Sequence, residues 1–235
     1  MPAHLFSPRP QPCLPVTGQT GQTGLYPVAR IFCVGRNYAA HAAEMGGQVD
    51  REAPFYFTKS AHHLAASGAT VPYAPGTSDL HHEVELVVAI GTSAFRVPVQ
   101  GALAHVYGFA VGLDMTRRDL QGAAKQNRRP WDTGKDFEGS AVIGQITTGA
   151  ITTGLMPTDI SLTVNGVIRQ AAPMADMVWT VAQLISHLST LYHLQPGDLI
   201  MTGTPAGVGP VQPGDVLVGT APGLSPVHLT IGPPA

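Results

Sequence analysis

Two glutamates, Glu83 and Glu85, stand in a run rich in Val, Leu and Ile that ends at Gly91. That composition predicts a β-strand, in which residues two apart point to the same face. The two carboxylates would then lie side by side and would resist joint ionisation unless a cation lay between them. An edge strand with both acids in solvent is the alternative, but the continuous apolar run over residues 86–90 is typical of a buried strand and favours the cation site.

A third acid, Asp114, ends a second apolar run at residues 106–113. Three carboxylates without a cysteine or a cage of histidines are typical ligands of a hard cation, so the set favours Mg²⁺ or Mn²⁺ over zinc. His81 is expected on the same face as Glu83, where it can support the acids. Six further histidines are expected in the core or in solvent, namely His62, His63, His105, His187, His193 and His228.

A histidine and a glutamate, His41 and Glu44, are three residues apart in a segment predicted to be helical from Ala39 to about Met45. Gly46 and Gly47 are expected to end this helix. Residues three apart share a helix face, so the carboxylate can hold one imidazole nitrogen and leave the other as a base near neutral pH. Such a pair is a usual means of activating water, although it also occurs by chance on helices without this function.

Two further segments carry groups that can act on an anion. Lys135 lies in a polar stretch between Trp131 and Phe137, where it can bind an anion or stabilise an enolate, or can be an ordinary surface lysine. Residues 202–209 form a glycine-rich loop whose backbone amides can approach a carboxylate. The loop lacks the Gly-Lys-Ser/Thr ending of a phosphate-binding loop, so a plain turn is the alternative interpretation.

Composition limits the classes of function that this chain can have. Its 235 residues are 44% hydrophobic and 12% charged, with a net charge of −2 and no basic stripe, which argues against nucleic-acid binding. Cys13 and Cys33 have no Cys-x-x-Cys partner, so neither a disulfide framework nor structural zinc is expected. Without a secretory signal or a membrane-spanning stretch in the sequence, we expect a soluble cytoplasmic protein with no membrane partner. The low charge also suggests surface hidden in an oligomer.

The element pattern predicts a β-dominated α+β fold with a few short helices. Scattered glycines and prolines mark many turns between short strands. Asn165-Gly166 predicts a hairpin over residues 161–170, and apolar spacing predicts helices from about Thr116 to Gln126 and over residues 180–193. We expect an irregular leader over residues 1–25, rich in Pro, Gly, Thr and Gln, followed by a single catalytic domain over residues 26–235.

Several segments together resemble the fumarylacetoacetate hydrolase family, in family order from about residue 28 to the C-terminus. They are Val34 to Tyr38 with His41 and Glu44, then His81 to Leu86, Gly112 to Gln121, Pro130-Trp131 with Lys135, and Thr202 to Gly209. Within the family, the chain is similar to the short acylpyruvase and fumarylpyruvate hydrolase group. One departure is Ser60, which follows Lys59 where the family usually has proline and leaves the contacts of Lys59 open.

The resemblance implies a mixed β-sandwich roll, a homodimer, and Mg²⁺ or Mn²⁺ held by Glu83, Glu85 and Asp114. It further implies that His41 and Glu44 activate water and that Lys135 assists catalysis. The residues implied to contact the substrate or its enolate are Arg36, Arg118, Gln121, Lys135 and Thr204.

The activity implied is hydrolysis of the C–C bond of a 2,4-dioxo acid, such as 3-fumarylpyruvate to fumarate and pyruvate. The metal would stabilise the pyruvate enolate in this reaction. Decarboxylation or tautomerisation of oxaloacetate is an alternative that has less use for activated water. A non-catalytic metal-binding homologue is the other alternative.

Overall fold

The computed structural model describes residues 4–18, 23–149 and 156–235. The strands of these residues are, in chain order, β1 (Cys13–Thr17), β2 (Thr23–Pro27), β3 (Arg30–Gly35), β4 (Phe55–Lys59), β5 (Leu64–Ala66), β6 (Ala69–Tyr73), β7 (Leu80–His82), β8 (Val84–Ile90), β9 (Val106–Asp114), β10 (Thr116–Arg117), β11 (Ala141–Ile143), β12 (Ile146–Thr148), β13 (Asp159–Val164), β14 (Val167–Pro173), β15 (Asp198–Met201), β16 (Gly209–Pro210), β17 (Val216–Thr220) and β18 (Val227–Pro234). The α-helices are α1 (Ala39–Glu44), α2 (Val99–Ala102), α3 (Arg118–Gln126), α4 (Asp132–Lys135) and α5 (Val181–Leu191).

The strands form three sheets with both parallel and antiparallel pairs. The largest has ten strands, ordered β2-β1-β12-β9-β8-β15-β3-β4, with β11 and β5 attached through β9. A five-stranded sheet has the order β14-β13-β17-β18-β6, and a three-stranded sheet has the order β10-β7-β16. The strands dominate and the helices are short, which confirms the predicted fold class.

Strand β8 connects three apolar clusters, because it is buried on both faces. Leu86, Val88 and Ile90 face one cluster, which includes the apolar side of α5. Val87 and Ala89 point to the opposite face, into the cluster that contains Leu14, Val16, Ile143 and Ile146. The five-stranded sheet packs against residues near the start of β8 and the end of β9 through a third cluster. The apolar run that follows the two glutamates is therefore central, as its composition predicts.

The register between β8 and β9 decides where the acids lie. Glu85 is opposite Gly112, and the backbone N–H of Asp114 donates to the carbonyl of Glu83 at 2.8 Å. Residues opposite each other on antiparallel strands project from the same face, so all three carboxylates emerge together. Gly112 is required here because a Cβ at this position would lie 2.7 Å from the Cγ2 of Val87.

The prediction of an irregular leader over residues 1–25 is wrong for the strands that the structure places there. β1 pairs with β2 and β12, so this segment forms one edge of the largest sheet. Tyr26 anchors the segment: its buried hydroxyl accepts from the N–H of Gly197 at 2.9 Å and lies 2.8 Å from the carbonyl oxygen of Ile90. The partners are distant in sequence, so no local pattern signals this ordering.

Two other boundaries differ from the predicted ones. The strand expected through Glu83 is interrupted there, because Leu80–His82 pairs with β10 and β16 whereas β8 joins the largest sheet. The helix expected from about Thr116 begins at Arg118, since Thr116–Arg117 pairs with β7. In both places the chain passes between the three-stranded sheet and the largest sheet, next to Glu83 and next to Asp114.

The other predicted elements are confirmed. β13 and β14 form the hairpin around Asn165-Gly166, and the long C-terminal helix α5 begins after Thr180 with a capping box completed by Gln183. Among the residues described, none of the helices combines the length and the apolar character needed to cross a membrane.

Replacing Tyr26 by Phe tests the anchoring of the N-terminal strands. The substitution leaves the buried N–H of Gly197 without the hydroxyl that accepts from it, so we expect the free energy of unfolding to fall by about 1–3 kcal/mol. Urea denaturation measures the change. The matched control is Tyr192→Phe, because Tyr192 is an exposed residue whose hydroxyl forms no hydrogen bond to the described residues, and its loss should cost less than about 0.5 kcal/mol. Equal effects of the two substitutions would contradict the anchoring role.

Candidate active site

Three buried carboxylates form the centre of the site. Glu83, Glu85 and Asp114 are each at most 4% exposed, and one oxygen of each lies within 4.8 Å of those of the other two. Glu85 is held by the backbone N–H of Gly203, which donates to its Oε2 at 2.8 Å. This donor comes from the glycine-rich loop after β15, so the loop contacts the acidic cluster directly.

Lys135 is the principal cation of this cluster, and it is buried. From the end of α4 its Nζ donates to Glu83 Oε2, Asp114 Oδ2 and Thr116 Oγ1, each at 2.7 Å. An ammonium group has three N–H donors, so all of them are used within the protein. The surface alternative for Lys135 is wrong. The side chain contributes charge and holds the acids, and its assignment as a catalytic residue stays a prediction.

A second buried lysine, Lys59, was left open by the sequence. Its Nζ lies 2.8 Å from Asp114 Oδ1 and also donates to the carbonyl oxygens of Met115 and Lys135. The contact with Asp114 is an ion pair without hydrogen-bond alignment, so Oδ1 keeps no directed donor. Lys59 reaches the acidic cluster although Ser60 replaces the usual proline of the family. The N–H of Ser60, which a proline would lack, donates to Asp136. The sequence signal for this role of Lys59 was its position at the end of a predicted strand.

The charges of the cluster are unevenly compensated. Burial raises the pKa of Glu83, but Lys135 and Arg118 outweigh burial and hold that pKa well below its ordinary value. The pKa of Glu85 is raised well above its ordinary value, by burial first and then by Asp114 and Glu83. Positive charge is therefore lacking next to Glu85. A divalent cation fits this point, because the donors are all carboxylate oxygens and Asp114 Oδ1 has no hydrogen-bond donor.

The predicted histidine–glutamate pair is present on α1. His41 is buried, and its Nδ1 lies 3.3 Å from Glu44 Oε2. Glu44 is held in turn by the backbone N–H of Gly207, at 3.0 Å from Oε1. With the Nδ1 proton directed at the carboxylate, Nε2 is the nitrogen that can accept a proton. Gly207 has a φ of +95°, and a Cβ there would collide with the carbonyl oxygen of Arg169, so this loop position requires glycine.

Asn37 fixes the start of α1 against the rest of the site. Its buried amide donates to the carbonyl oxygens of Thr202 at 2.8 Å and Trp179 at 2.9 Å, and accepts from the N–H of Trp179 at 2.7 Å. All three backbone partners are far along the chain. No sequence pattern predicts this role of Asn37, although the residue lies within the segment that carries the family resemblance.

Gln170 connects the acid-bearing strand to the glycine-rich loop. Its buried Oε1 accepts from the N–H of Val84 at 3.0 Å, and its Nε2 donates to Thr204 Oγ1 at 2.8 Å. Because Thr204 is the acceptor in that bond, its own hydroxyl proton is free to donate. Gln170 lies on a hairpin strand that carries no chemical motif, so no sequence pattern predicts its role.

Helix α3 supplies the two other predicted polar residues. Arg118 donates through Nη2 to Glu83 and through Nη1 to Gln121 Oε1, at 2.6 Å in the second bond. Gln121 therefore presents its amide N–H groups for a further partner. His81 accepts from Arg118 Nε at 3.4 Å and contacts Asp79 at 2.8 Å. It therefore touches the arginine and not the cluster of three carboxylates.

A single cavity collects these residues. Nine of the ten predicted site residues line it, and the tenth, Glu44, reaches it through His41. The nine are Arg36, His41, Glu83, Glu85, Asp114, Arg118, Gln121, Lys135 and Thr204. Lys125 and Trp131 also line the cavity, with Phe57 and Met45 as apolar walls. The structure thus places the predicted set together, while the individual roles stay predictions.

Glu85→Gln tests the charge imbalance. In chelator-treated protein we expect the variant to be more stable than the wild type at neutral pH, because it removes a buried carboxylate whose ionisation the fold disfavours. The folded pKa of this carboxyl is raised, so its stabilising contribution is present below the ordinary value of about 4.5 and is lost as the pH rises through the folded pKa. The advantage of the variant should therefore grow above pH about 4.5 in urea denaturation curves.

The same variant should respond less to metal. At Mg²⁺ or Mn²⁺ concentrations of 100 times the dissociation constant, the wild type gains about 2.7 kcal/mol, and the variant gains less because one ligand carries no charge. Glu138→Gln, which removes an exposed carboxylate, is the control for the loss of charge alone. A destabilised chelator-treated variant with an undiminished metal response would overturn the site.

Known proteins resemble this chain over most of its length. A family pattern described as fumarylacetoacetate (FAA) hydrolase C-terminal matches residues 30–231. A fumarylpyruvate hydrolase of a Ralstonia species is 50% identical over 191 residues, which cover 80% of this chain and 99% of the relative. A mitochondrial oxaloacetate tautomerase of Arabidopsis thaliana is 40% identical over 202 residues, 86% of this chain and 90% of the relative.

A solved structure gives the same result for the fold. The crystal structure of a fumarylpyruvate hydrolase from Pseudomonas aeruginosa, in complex with Mn²⁺ and pyruvate, superposes with a TM-score of 0.89 at 43% identity. The match covers 98% of this chain and 100% of that chain. With the fold, the acidic cluster and the sequence in agreement, the chain belongs to the fumarylacetoacetate hydrolase family.

Proposed function

We propose that this protein hydrolyses the C3–C4 bond of a 2,4-dioxo acid, with 3-fumarylpyruvate as the favoured substrate and fumarate and pyruvate as the products. The observation that carries the proposal is the cavity in which the buried acidic cluster and the His41–Glu44 pair meet. The 50% identity to a fumarylpyruvate hydrolase supports the choice of substrate, as does the related structure with Mn²⁺ and pyruvate.

Glu83, Glu85 and Asp114 would hold the metal ion, Mg²⁺ or Mn²⁺. When bound, such an ion acts as a Lewis acid at the 2-oxo oxygen, where negative charge develops as the carbon–carbon bond breaks. Glu85, whose pKa is raised by burial and by the neighbouring acids, is the carboxylate that most needs a cation. Lys135 and Arg118 keep Glu83 ionised, because they hold its pKa low.

His41 would act as the general base. Oriented by Glu44, its free nitrogen takes a proton from water, and the water oxygen forms a bond to C4 of the substrate. The C3–C4 bond then breaks with its electron pair moving to C3 and, by delocalisation, to the 2-oxo oxygen. Return of the proton from His41 to C3 gives the methyl group of pyruvate, and the carboxylic acid formed at C4 ionises to solvent.

The remaining polar groups would orient the pyruvoyl end. Gln121 has amide N–H groups left after accepting from Arg118, and Thr204 has a free hydroxyl proton after accepting from Gln170. Both line the cavity, so both can donate to the carboxylate or the 2-oxo oxygen of the substrate. Lys135, with its donors used, would act through its charge.

Oxaloacetate tautomerisation is the second candidate function. It rests on relatives of this activity from Arabidopsis thaliana and Escherichia coli, at 40% and 39% identity. A base such as His41 can also move a proton between C3 and the 2-oxo group, so the pair serves either reaction. The two functions differ in the products, because only hydrolysis yields fumarate and pyruvate.

His41→Ala tests the proposed role of the base. With fumarylpyruvate and Mg²⁺ or Mn²⁺, we expect kcat to fall by about 10²–10⁴-fold while metal binding is retained. Loss of the substrate's enol absorbance gives the rate, and product analysis gives fumarate and pyruvate. His228→Ala removes an exposed histidine away from the cavity and should leave the rate unchanged. An active His41→Ala enzyme would refute the base, and a wild type that converts only oxaloacetate would favour the tautomerase.

The proposal includes a homodimer. Only 12% of the residues are charged, and several large apolar side chains are exposed, among them Phe55, Leu191 and Tyr192. Exposed apolar area of this kind is typical of surfaces that are covered in an assembly. Light scattering during size-exclusion chromatography should give twice the mass of one chain, and a monomer at micromolar concentration would contradict this part.

A further inference from the structure

Lys125 lies in the cavity on the same helix face as two residues of the site. Arg118, Gln121 and Lys125 are spaced three and seven residues apart on α3, so their side chains project to one side. Lys125 is half-buried and lines the cavity together with the acidic cluster. Neither the proposed metal site nor the proposed base uses this lysine.

Arg36 lines the same cavity, and its charge acts on Lys125. It is the residue after β3, with a φ of +57°, in the left-handed region that non-glycine residues rarely adopt. Asn37 holds the following backbone by its three hydrogen bonds, which keeps this turn in place. Strained backbone of this kind is concentrated at functional sites, where it directs a side chain. Here the residue in the strained conformation, Arg36, lines the cavity.

Arg36 and Lys125 differ from the other cations of the cavity in having no partner. Lys135 and Arg118 are paired with buried acids. For Arg36 and Lys125 the described ranges 4–18, 23–149 and 156–235 provide no ion pair and no hydrogen bond. Burial lowers the pKa of Lys125, and the nearby charges of Arg36 and Arg118 lower it further. The positive charges of Arg36 and Lys125 repel each other. A bound anion would act as the counter-ion that the described residues do not provide.

The neighbouring cavity does not offer an equivalent place for an anion. It shares Arg36 and Trp131 with the catalytic cavity but is lined by Asp50, Phe55 and Trp179. A carboxylate there would meet the negative charge of Asp50 and apolar walls. The side that carries both Arg36 and Lys125 is therefore the favourable one for negative charge.

We propose that Lys125 and Arg36 form a carboxylate subsite for the far end of the substrate, beyond C4. This inference rests on the proposed function, because it assumes that the pyruvoyl end occupies the acidic cluster. The subsite selects acylpyruvates that carry a second carboxylate, such as fumarylpyruvate, over those that end in a neutral group, such as acetylpyruvate. Charge-assisted hydrogen bonds to a carboxylate supply the selection.

The test compares kcat/KM for fumarylpyruvate and acetylpyruvate in the full-length protein loaded with Mg²⁺ or Mn²⁺. Lys125→Met should lower the ratio of the two values by about 10- to 100-fold, mainly through KM for fumarylpyruvate. Arg36→Met should shift the ratio in the same direction, and Lys125→Arg, which keeps the charge, should restore most of it. Arg9→Met removes an exposed positive charge far from the cavity lining and should leave the ratio as in the wild type. Where acetylpyruvate turnover is too slow, its inhibition constant against fumarylpyruvate replaces its kcat/KM.

The outcomes separate this inference from the proposed function. A wild type that hydrolyses neither substrate refutes the proposed function. A wild type that hydrolyses fumarylpyruvate, with a Lys125→Met variant whose ratio is unchanged or whose two values fall equally, refutes the subsite alone. A selective loss of kcat/KM for fumarylpyruvate in Lys125→Met and in Arg36→Met, with recovery in Lys125→Arg, supports the subsite.

Discussion

The burial of three carboxylates with oxygens within 4.8 Å of one another is the constraint on which the rest of this structure depends. An unpaired buried carboxylate is costly, so each must face a cation or a donor. Lys135 bridges Glu83 and Asp114, Arg118 contacts Glu83, and Lys59 approaches Asp114 from the other side. Among the described residues Glu85 is held by a backbone N–H alone, and burial together with Asp114 and Glu83 raises its pKa. This grouping of buried carboxylate oxygens suits a divalent ion.

The loops around the cluster are fixed by buried amides and not by apolar packing alone. Asn37 joins the turn before α1 to the backbone at Thr202 and Trp179, and Gln170 joins the start of β8 to Thr204. Gly207 completes the arrangement by donating to Glu44, which aligns His41. A general base must lie within hydrogen-bond reach of the water that it activates, so these connections determine whether the pair can act. Hydrogen bonds with defined direction suit this task better than apolar contacts, which are not directional.

The charges that line the cavity differ in burial and in pairing. The buried acids and cations compensate one another except at Glu85, whereas the more exposed Arg36 and Lys125 have no ion-pair partner among the described residues. A substrate with a metal-binding keto acid at one end and a carboxylate at the other would match both parts. Family membership by itself allows hydrolysis and tautomerisation, as the relatives of this chain show. The distribution of charge along the cavity is a property of this chain's own side chains and bears on which acid it accepts.

The sequence alone determined the β-dominated fold class, the hairpin at Asn165-Gly166 and the candidate acids, because these depend on local periodicity and on residue types two or three positions apart. It also placed His41 and Glu44 on one helix face, and the family resemblance brought in Arg36, Arg118, Gln121 and Thr204. Only the tertiary structure decided that Asp114 stands opposite Glu83, since strand register is not written in either strand separately. It also revealed the ordering of the N-terminal strands, the buried state of Lys59 and Lys135, and the links made by Asn37 and Gln170. Each of these arises from partners far apart in the chain, whose proximity is created by folding and leaves no periodic signal in the sequence.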